Sequence, residues 1–408
     1  MNLGRYAEPD YKKICNYSVS GCPKGGAPRA WFLKGGFFIQ YFIWGFLTAT
    51  HLYLYLKLRS GFGSGRWSAV YAAWAIACVA LPFASRRGYF GAGRLPEILS
   101  GLALTWVALV GIACLGFFFM DAASLSARLI DMAAGTNLKP RFFAPRKCVP
   151  VTLFLILAVV LYSYYEAWNV RRVNLVIETP KLPEEVGSLR LAHLTDVHFG
   201  GLYTAGRFRR VMDIVRSAEP DILVLTGDVV DGDMSYWEEE TGLLASHGAK
   251  YGAFAVTGNH EFFIGIEKTV DFMSRAGIVL LRDARADAAG IAILGLDDPA
   301  RRGWRMSGPE TMPDGLYFPE DRFVLLLKHR PQVVESSAGK FDLQLSGHTH
   351  GGQIWPFDYF VWWVNRHEQG LSYKDGSAVY VSNGAGFWGP PLRFLNPPEV
   401  TIIDLVKK

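Results

Sequence analysis

Four uncharged apolar runs fill the first half of the chain: Gly35–Leu56, Trp67–Ser85, Ile98–Met120 and Cys148–Tyr165. Each approaches the ~20 residues a helix needs to cross ~30 Å of hydrocarbon. In lipid, a segment must satisfy its own backbone N–H and C=O groups, which restricts single spans to helices. The connectors hold the charge: Lys57, Arg59 and Arg66, then Arg86, Arg87 and Arg94, then Arg128, Lys139, Arg141, Arg146 and Lys147. Trp67, Tyr162, Tyr164 and Tyr165 stand near run ends, where interfacial rings are favoured. A buried soluble bundle is the competing reading, but four such runs in succession are hard to bury otherwise. The composition agrees: 50% of the 408 residues are apolar and 14% aromatic.

Around these runs the sequence sets further expectations. Residues 1–34 are polar and Gly/Pro-rich and do not read as a signal peptide. Residues 121–135 read either as a short amphipathic helix at the interface or as an extension of the third run. Gln40, Thr48, Thr50 and His51 in the first run are expected to face other helices. An even number of spans puts both termini on one side. That side collects more of the flanking Lys and Arg, which points to cytoplasmic termini. The five cysteines, Cys15, Cys22, Cys78, Cys114 and Cys148, contain no C-x-x-C pair, so thiolate zinc and dithiol redox chemistry are not expected. Cys15 and Cys22 read as a disulfide or as two free thiols. Net charge is only +5 and no basic run is interleaved with aromatics, so no nucleic-acid partner is expected.

After Trp168 the pattern changes. Residues 169–188, containing Thr179-Pro-Lys-Leu-Pro183, read as a linker. Short apolar strands then recur, several of them ending in a polar cluster: Leu189–Thr195, Asp221–Thr226, Gly252–Thr257, Ile278–Leu281, Ile291–Leu296, Phe323–Lys328, Phe341–Leu345, Ala378–Ser382 and Val400–Leu405. Helical periodicity falls on 205–218, 236–247 and 266–276. This alternation predicts a layered α/β domain over 189–408, with an antiparallel part where helices become scarce. Open α/β sheets carry their sites at the C-terminal ends of strands.

The strand-end residues are Asp196, His198, Asp228, Asn259, His260, His329, His348 and His350. All are oxygen or imidazole donors, a set suited to Mn, Fe, Zn or Co rather than a soft metal. A carboxylate such as Asp228 can bridge two cations through its two oxygens.

The series Asp196-x-His198, Gly227-Asp228-x-x-Asp231, Gly258-Asn259-His260-Glu261, His329 and Gly347-His348-x-His350 resembles the calcineurin-like metallophosphoesterase family. The extension through Gly351, Gly352 and Gln353 to Ile-Trp-Pro356, with several membrane runs upstream, is similar to the subgroup of transmembrane proteins with a metallophosphoesterase domain. Residues 380–386 and Arg393 also resemble that subgroup. The resemblance implies a four-layer α/β/β/α sandwich behind a helical membrane region over 35–168. It implies two divalent cations, manganese foremost: one on Asp196, His198, Asp228 and His350, the other on Asp228, Asn259, His329 and His348. His260 would hold the phosphate or assist the leaving group, with Asp228 and Asn259 beside it. Some members of the broader group hydrolyse UDP-2,3-diacylglucosamine in lipid A synthesis. A hydrolase of a phosphodiester, pyrophosphate or phosphomonoester in a bacterial inner membrane is therefore expected, acting on an amphiphilic or lipid-linked substrate. A general phosphodiesterase of a small substrate and a non-catalytic membrane sensor or scaffold are the alternatives.

Other residues carry plainer expectations. His193 reads as a packed core histidine, Asp231 and Glu261 as supporting carboxylates, and His247 and His367 as surface residues. Phe357–Val364, rich in Trp and Tyr, reads either as partly packed into the domain or as an aromatic surface facing the bilayer.

Overall fold

A computed structural model describes residues 32–63, 71, 94–200, 202–232, 237–302, 311–367, 369–374 and 376–408. The chain divides into two compact units, Met1–Ala49 and Thr50–Lys408. The described part of the first is helical and belongs to α1 (Phe32–Phe62). The second contains α2 (Arg94–Ala134), α3 (Leu138–Phe142), α4 (Pro145–Trp168) and the mixed domain that follows.

Among the described residues, two helices are long and apolar enough to cross a membrane, Leu95–Ala134 and Pro145–Trp168. They contain the third and fourth apolar runs. The first run lies within α1, and the second lies outside the described residues apart from Tyr71. Residues 121–134 form no separate amphipathic helix: they continue α2, which has 41 residues. At 1.5 Å per residue α2 is about 60 Å long, twice a hydrocarbon core. Its flanks and those of α4 expose Phe118, Phe119, Leu125, Phe154, Leu155 and Leu161. Where the helices meet, Leu54, Val110, Phe117 and Val149 are buried together. Glycine permits the close approach: a Cβ on Gly116 would stand 2.9 Å from the Ile156 side chain. His51 is buried and accepts a hydrogen bond from Trp106 Nε1 at 3.0 Å, a helix-facing role.

Next come β1 (Arg171–Thr179), β2 (Ser188–Leu194), α5 (Ala205–Ser217), β3 (Ile222–Thr226), α6 (Glu238–Ala245), β4 (Ala253–Val256), α7 (Asn259–Ile264), α8 (Ile266–Arg275) and β5 (Ile278–Leu280). Then β6 (Ala284–Ala288), β7 (Ile291–Gly295), β8 (Val324–Leu327), β9 (Leu343–Ser346), α9 (Phe357–Asn365), β10 (Gly370–Lys374), β11 (Ser377–Val381) and β12 (Glu399–Lys407) complete the domain. Among the described residues these strands form two six-stranded sheets, ordered β1-β12-β2-β3-β4-β5 and β10-β11-β9-β8-β7-β6.

Strands β2 to β5 run parallel. The connections carry α5, α6 and α8, which suits parallel crossovers. Antiparallel pairing is confined to β12 with β2 and to the edge hairpins β6–β7 and β10–β11. Strands β7, β8, β9 and β11 are also parallel, although among the described residues little helix connects them. The residues Ala289 and Gly290 turn β6 into β7, both with positive φ, which suits a tight hairpin.

Three apolar layers hold this together. On α5, Phe208, Val211, Met212 and Val215 recur at helical spacing and are buried against the first sheet. Thr204 caps the helix, its side chain accepting from Arg207 N. Leu191, Val224, Val256, Ile293, Leu325 and Ile403 fill the space between the sheets. Met312, Leu316, Phe318 and Val333 cover the outer face of the second sheet, and these four lie outside regular helix and strand.

One segment departs from expectation. Residues 171–179 lie in the stretch expected as a linker, but they form β1, paired in parallel with β12 from Arg171↔Glu399 to Thr179↔Lys407. Val173, Leu175 and Ile177 alternate with more exposed neighbours, the period of a half-buried edge strand.

Candidate metal centre

Five loops at the C-terminal ends of β2, β3, β4, β8 and β9 converge. They are tied by backbone bonds between neighbouring loops: Asp196 N to Gly227 O, His198 N to Asp228 O and Gly347 N to His329 O. Asp196, His198, Asp228, His348 and His350 all have positive φ, between 50° and 72°. Such backbone costs roughly 1–3 kcal/mol at each non-glycine residue and persists where surrounding structure enforces it. Gly347 shows the crowding, because a Cβ there would overlap Asp196 Oδ2 and Thr195 Oγ1.

Seven predicted residues come together in two groups. In the first, His350 Nε2 lies 3.0 Å from His198 Nε2 and 3.4 Å from Asp196 Oδ1. In the second, His329 Nε2 lies 3.1 Å from Asp228 Oδ2 and 3.1 Å from His348 Nδ1. Asp228 joins the groups, as its Oδ2 is also 3.9 Å from His198 Nε2 and 4.0 Å from His260 Nε2. Asn259 starts α7 beside them, and its Oδ1 is buried without a hydrogen-bond partner.

Acceptors outnumber protons here. Thr226 O stands 2.8 Å from His329 Nδ1 and can only accept, so that nitrogen carries hydrogen. In the neutral ring, Nε2 then presents a lone pair to the Asp228 carboxylate and to His348 Nδ1. Burial disfavours charge on His329, yet Asp228 and Asp196 outweigh it and push its pKa up to about 10. Burial, then charge on His329, drives the His348 imidazole down to about 3. Burial, then His198, drives His350 well below its usual range. The carboxylates call for positive charge where two of the imidazoles resist protonation. Divalent cations fit that donor set, and the orphaned Asn259 carbonyl adds one more oxygen.

The supporting carboxylates are as informative. Asp231 Oδ1 lies 2.5 Å from His260 Nδ1, and its Oδ2 lies 3.5 Å from His198 Nδ1. Burial works against charge on His260, but the Asp231 hydrogen bond and the Asp228 carboxylate raise its pKa to about 9. Sequence reasoning gave Asp231 a generic supporting role, whereas its place as the partner of His260 emerges from the loop. Glu261 is fully buried and accepts from four backbone N–H groups: Asp228 at 2.9 Å, Val229 at 2.7 Å, Val230 at 3.3 Å and Gly258 at 2.7 Å. One carboxylate thus clamps the loops after β3 and β4. Arg393 is fully buried and donates to the carbonyls of His350, Gly386, Asn383 and Asn396. The subgroup resemblance singles out Arg393, but its role in holding the histidine loop is visible only in the fold. His193 is buried with Nε2 at 2.8 Å from Thr226 Oγ1, as a core histidine would be.

Two facing mixed sheets whose strand ends gather carboxylates and imidazoles form a candidate centre for divalent metal ions. The calcineurin-like phosphoesterase profile matches residues 189–352. A metallophosphoesterase of Aquifex aeolicus is 33% identical over 261 residues, covering 63% of this chain and 99% of that protein. One from Campylobacter jejuni is 31% identical over 300 residues, covering 71% of this chain and 78% of that protein. The transmembrane protein with metallophosphoesterase domain of Danio rerio is 27% identical over 324 residues, covering 74% of each. The chain belongs to the calcineurin-like metallophosphoesterases, a family of divalent-metal phosphoester hydrolases.

Proposed function

We propose that the chain is a membrane-anchored, two-metal phosphoesterase acting on an amphiphilic or lipid-linked phosphoester. The observation that carries the two-metal reading is Asp228, whose Oδ2 faces His329 in one donor group and His198 in the other. Asp196, His198, Asp228 and His350 would hold one cation, and Asp228, Asn259, His329 and His348 the other, manganese being the first choice in vitro. Bound there, two cations lower the pKa of a water and neutralise charge on a phosphate.

The chain's own groups supply the rest. Asp231 fixes the His260 ring through Nδ1 and leaves Nε2 towards the cluster. His260 then offers Nε2 as a hydrogen-bond donor to a phosphate oxygen or as a proton donor to the departing oxygen. Glu261 keeps Asp228 and Asn259 in register. His260→Ala should lower kcat by about 100-fold or more while metal content stays at the wild-type level. A matching loss of metal would instead make His260 a ligand.

Anchoring is supported by α2 and α4, whose long apolar stretches are largely left unburied by the rest of the chain. With both termini cytoplasmic, the catalytic domain faces the cytoplasm of a bacterial inner membrane. A reporter fused after Lys408 tests that side. The activity test is a screen of the purified, manganese-loaded full chain against UDP-2,3-diacylglucosamine, phospholipids, prenyl phosphates and bis(p-nitrophenyl) phosphate. Turnover of an amphiphile well above the soluble diester is expected, and the reverse preference would sink the lipid-linked reading.

A further inference from the structure

Helix α9 follows the histidine loop at once, yet none of its nine residues is buried. Phe357, Tyr359, Phe360, Trp362, Trp363 and Val364 are each between 47% and 65% exposed. Asp358, Val361 and Asn365, spaced at helical intervals, are half-buried, and the aromatic residues occupy the rest of the helix surface. Asp358 and Arg366 are the only charges, and the Arg366 guanidinium sits over the Trp362 ring at 6.0 Å. A water-facing surface seldom carries so dense an apolar patch, and one like it marks a partner or a membrane.

The neighbours of α9 decide between these. Gly352 lies against the Asp358 backbone, which fixes the helix to the histidine loop. The next residue, Gln353, donates to Trp388 O at 3.1 Å and Pro390 O at 3.2 Å, and accepts from Trp388 N at 3.0 Å. Trp388 is half exposed, with its ring 6.3 Å from that of His260. The same short segment touches both apolar helices. Gly389 lies beside Leu104 of α2, Arg393 N donates to Ser163 O of α4 at 2.9 Å, and Phe394 meets Tyr162 edge-on at 5.7 Å. Residues 388–394 therefore connect the site histidine, the loop that carries α9, and the domain-side ends of α2 and α4.

We propose that α9 and Trp388 form a bilayer-facing surface, resting in the headgroup–acyl boundary and opening the metal centre to a phosphate held in the membrane. The proposal rests on the membrane-anchored reading above. Trp and Tyr favour that boundary, and the near absence of charge suits zwitterionic as well as anionic lipid. It assigns Trp362 and Trp363 to lipid contact, outside the chemistry.

The test uses the full chain in phosphatidylcholine nanodiscs, with and without lipid brominated near the headgroup. The probe is the fluorescence that wild type has and Trp362→Phe/Trp363→Phe lacks. Bromolipid should quench that component. Trp362→Ser/Trp363→Ser should lose about 10-fold in kcat/KM on a disc-embedded phosphodiester and stay within about twofold on bis(p-nitrophenyl) phosphate. An unquenched component would overturn the proposal, including the case where α9 instead covers a second copy or another protein. Equal loss on both substrates would overturn it as well. Wild-type chain that fails to float with vesicles would defeat the anchoring and the surface together. Quenching without turnover of any amphiphile would support the surface while the lipid-linked reading fails.

Discussion

Asp228→Asn should abolish turnover and strip the protein of metal. The carboxylate faces both donor groups, with Oδ2 3.1 Å from His329 Nε2 and 3.9 Å from His198 Nε2. Asn keeps the shape but removes the charge and one anionic oxygen. Losing an outer partner of a metal ligand typically costs ~10–100-fold, so losing the shared ligand should exceed that. Elemental analysis should fall from two metals per chain to one or none, with the circular dichroism spectrum unchanged. A variant that retains two metals and full turnover would refute the bridging role.

Glu261→Ala should damage stability and activity together, although Glu261 has no predicted contact with substrate. Removing it leaves the N–H groups of Asp228, Val229, Val230 and Gly258 without their acceptor in a buried place. Each unsatisfied buried group costs about 1–3 kcal/mol, less wherever water can enter. The sum is a large part of the ~5–15 kcal/mol that holds a domain folded. Glu261→Gln retains one acceptor oxygen, so the melting temperature should fall in the order wild type, Gln, Ala. Metal affinity should follow the same order, because the clamp sets the Asp228 backbone. An Ala variant as stable as wild type would show that the loops hold themselves.

The strand ladder and the donors at its ends were legible because burial on two sides forces apolar runs and because metal donors are chemically distinctive. Asp196, His198, Asp228, His329, His348 and His350 stand out as polar residues that interrupt such runs. Strand β1 was obscured because it is an edge strand just after a membrane helix, and its exposed Arg171 and Arg172 resemble a charged exit from the bilayer. Helix α9 had no readable period, because its outward positions are aromatic and its half-buried face carries Asp358 and Asn365, the reverse of the usual amphipathic pattern. The parallel pairing of β7 to β8 was hidden for another reason: among the described residues their connection carries only the short helical turn Pro299–Arg302, with no long helical period to signal a crossover. The partnership of Asp231 with His260 depends on two loops meeting, 29 positions apart, which spacing within one loop cannot reveal.

The junction between α4 and β1 has a further consequence. Helix α4 ends at Trp168 and β1 begins at Arg171, with Asn169 and Val170 between them. Arg171 also reaches Glu166 on the helix, and its N–H donates to Pro398 O ahead of β12. A joint this short and this braced restricts swing. In an anchored chain the catalytic head would be held at a set height against the lipid, as on a rod rather than a leash. The length of that joint would then set how far from the lipid the metal centre stands.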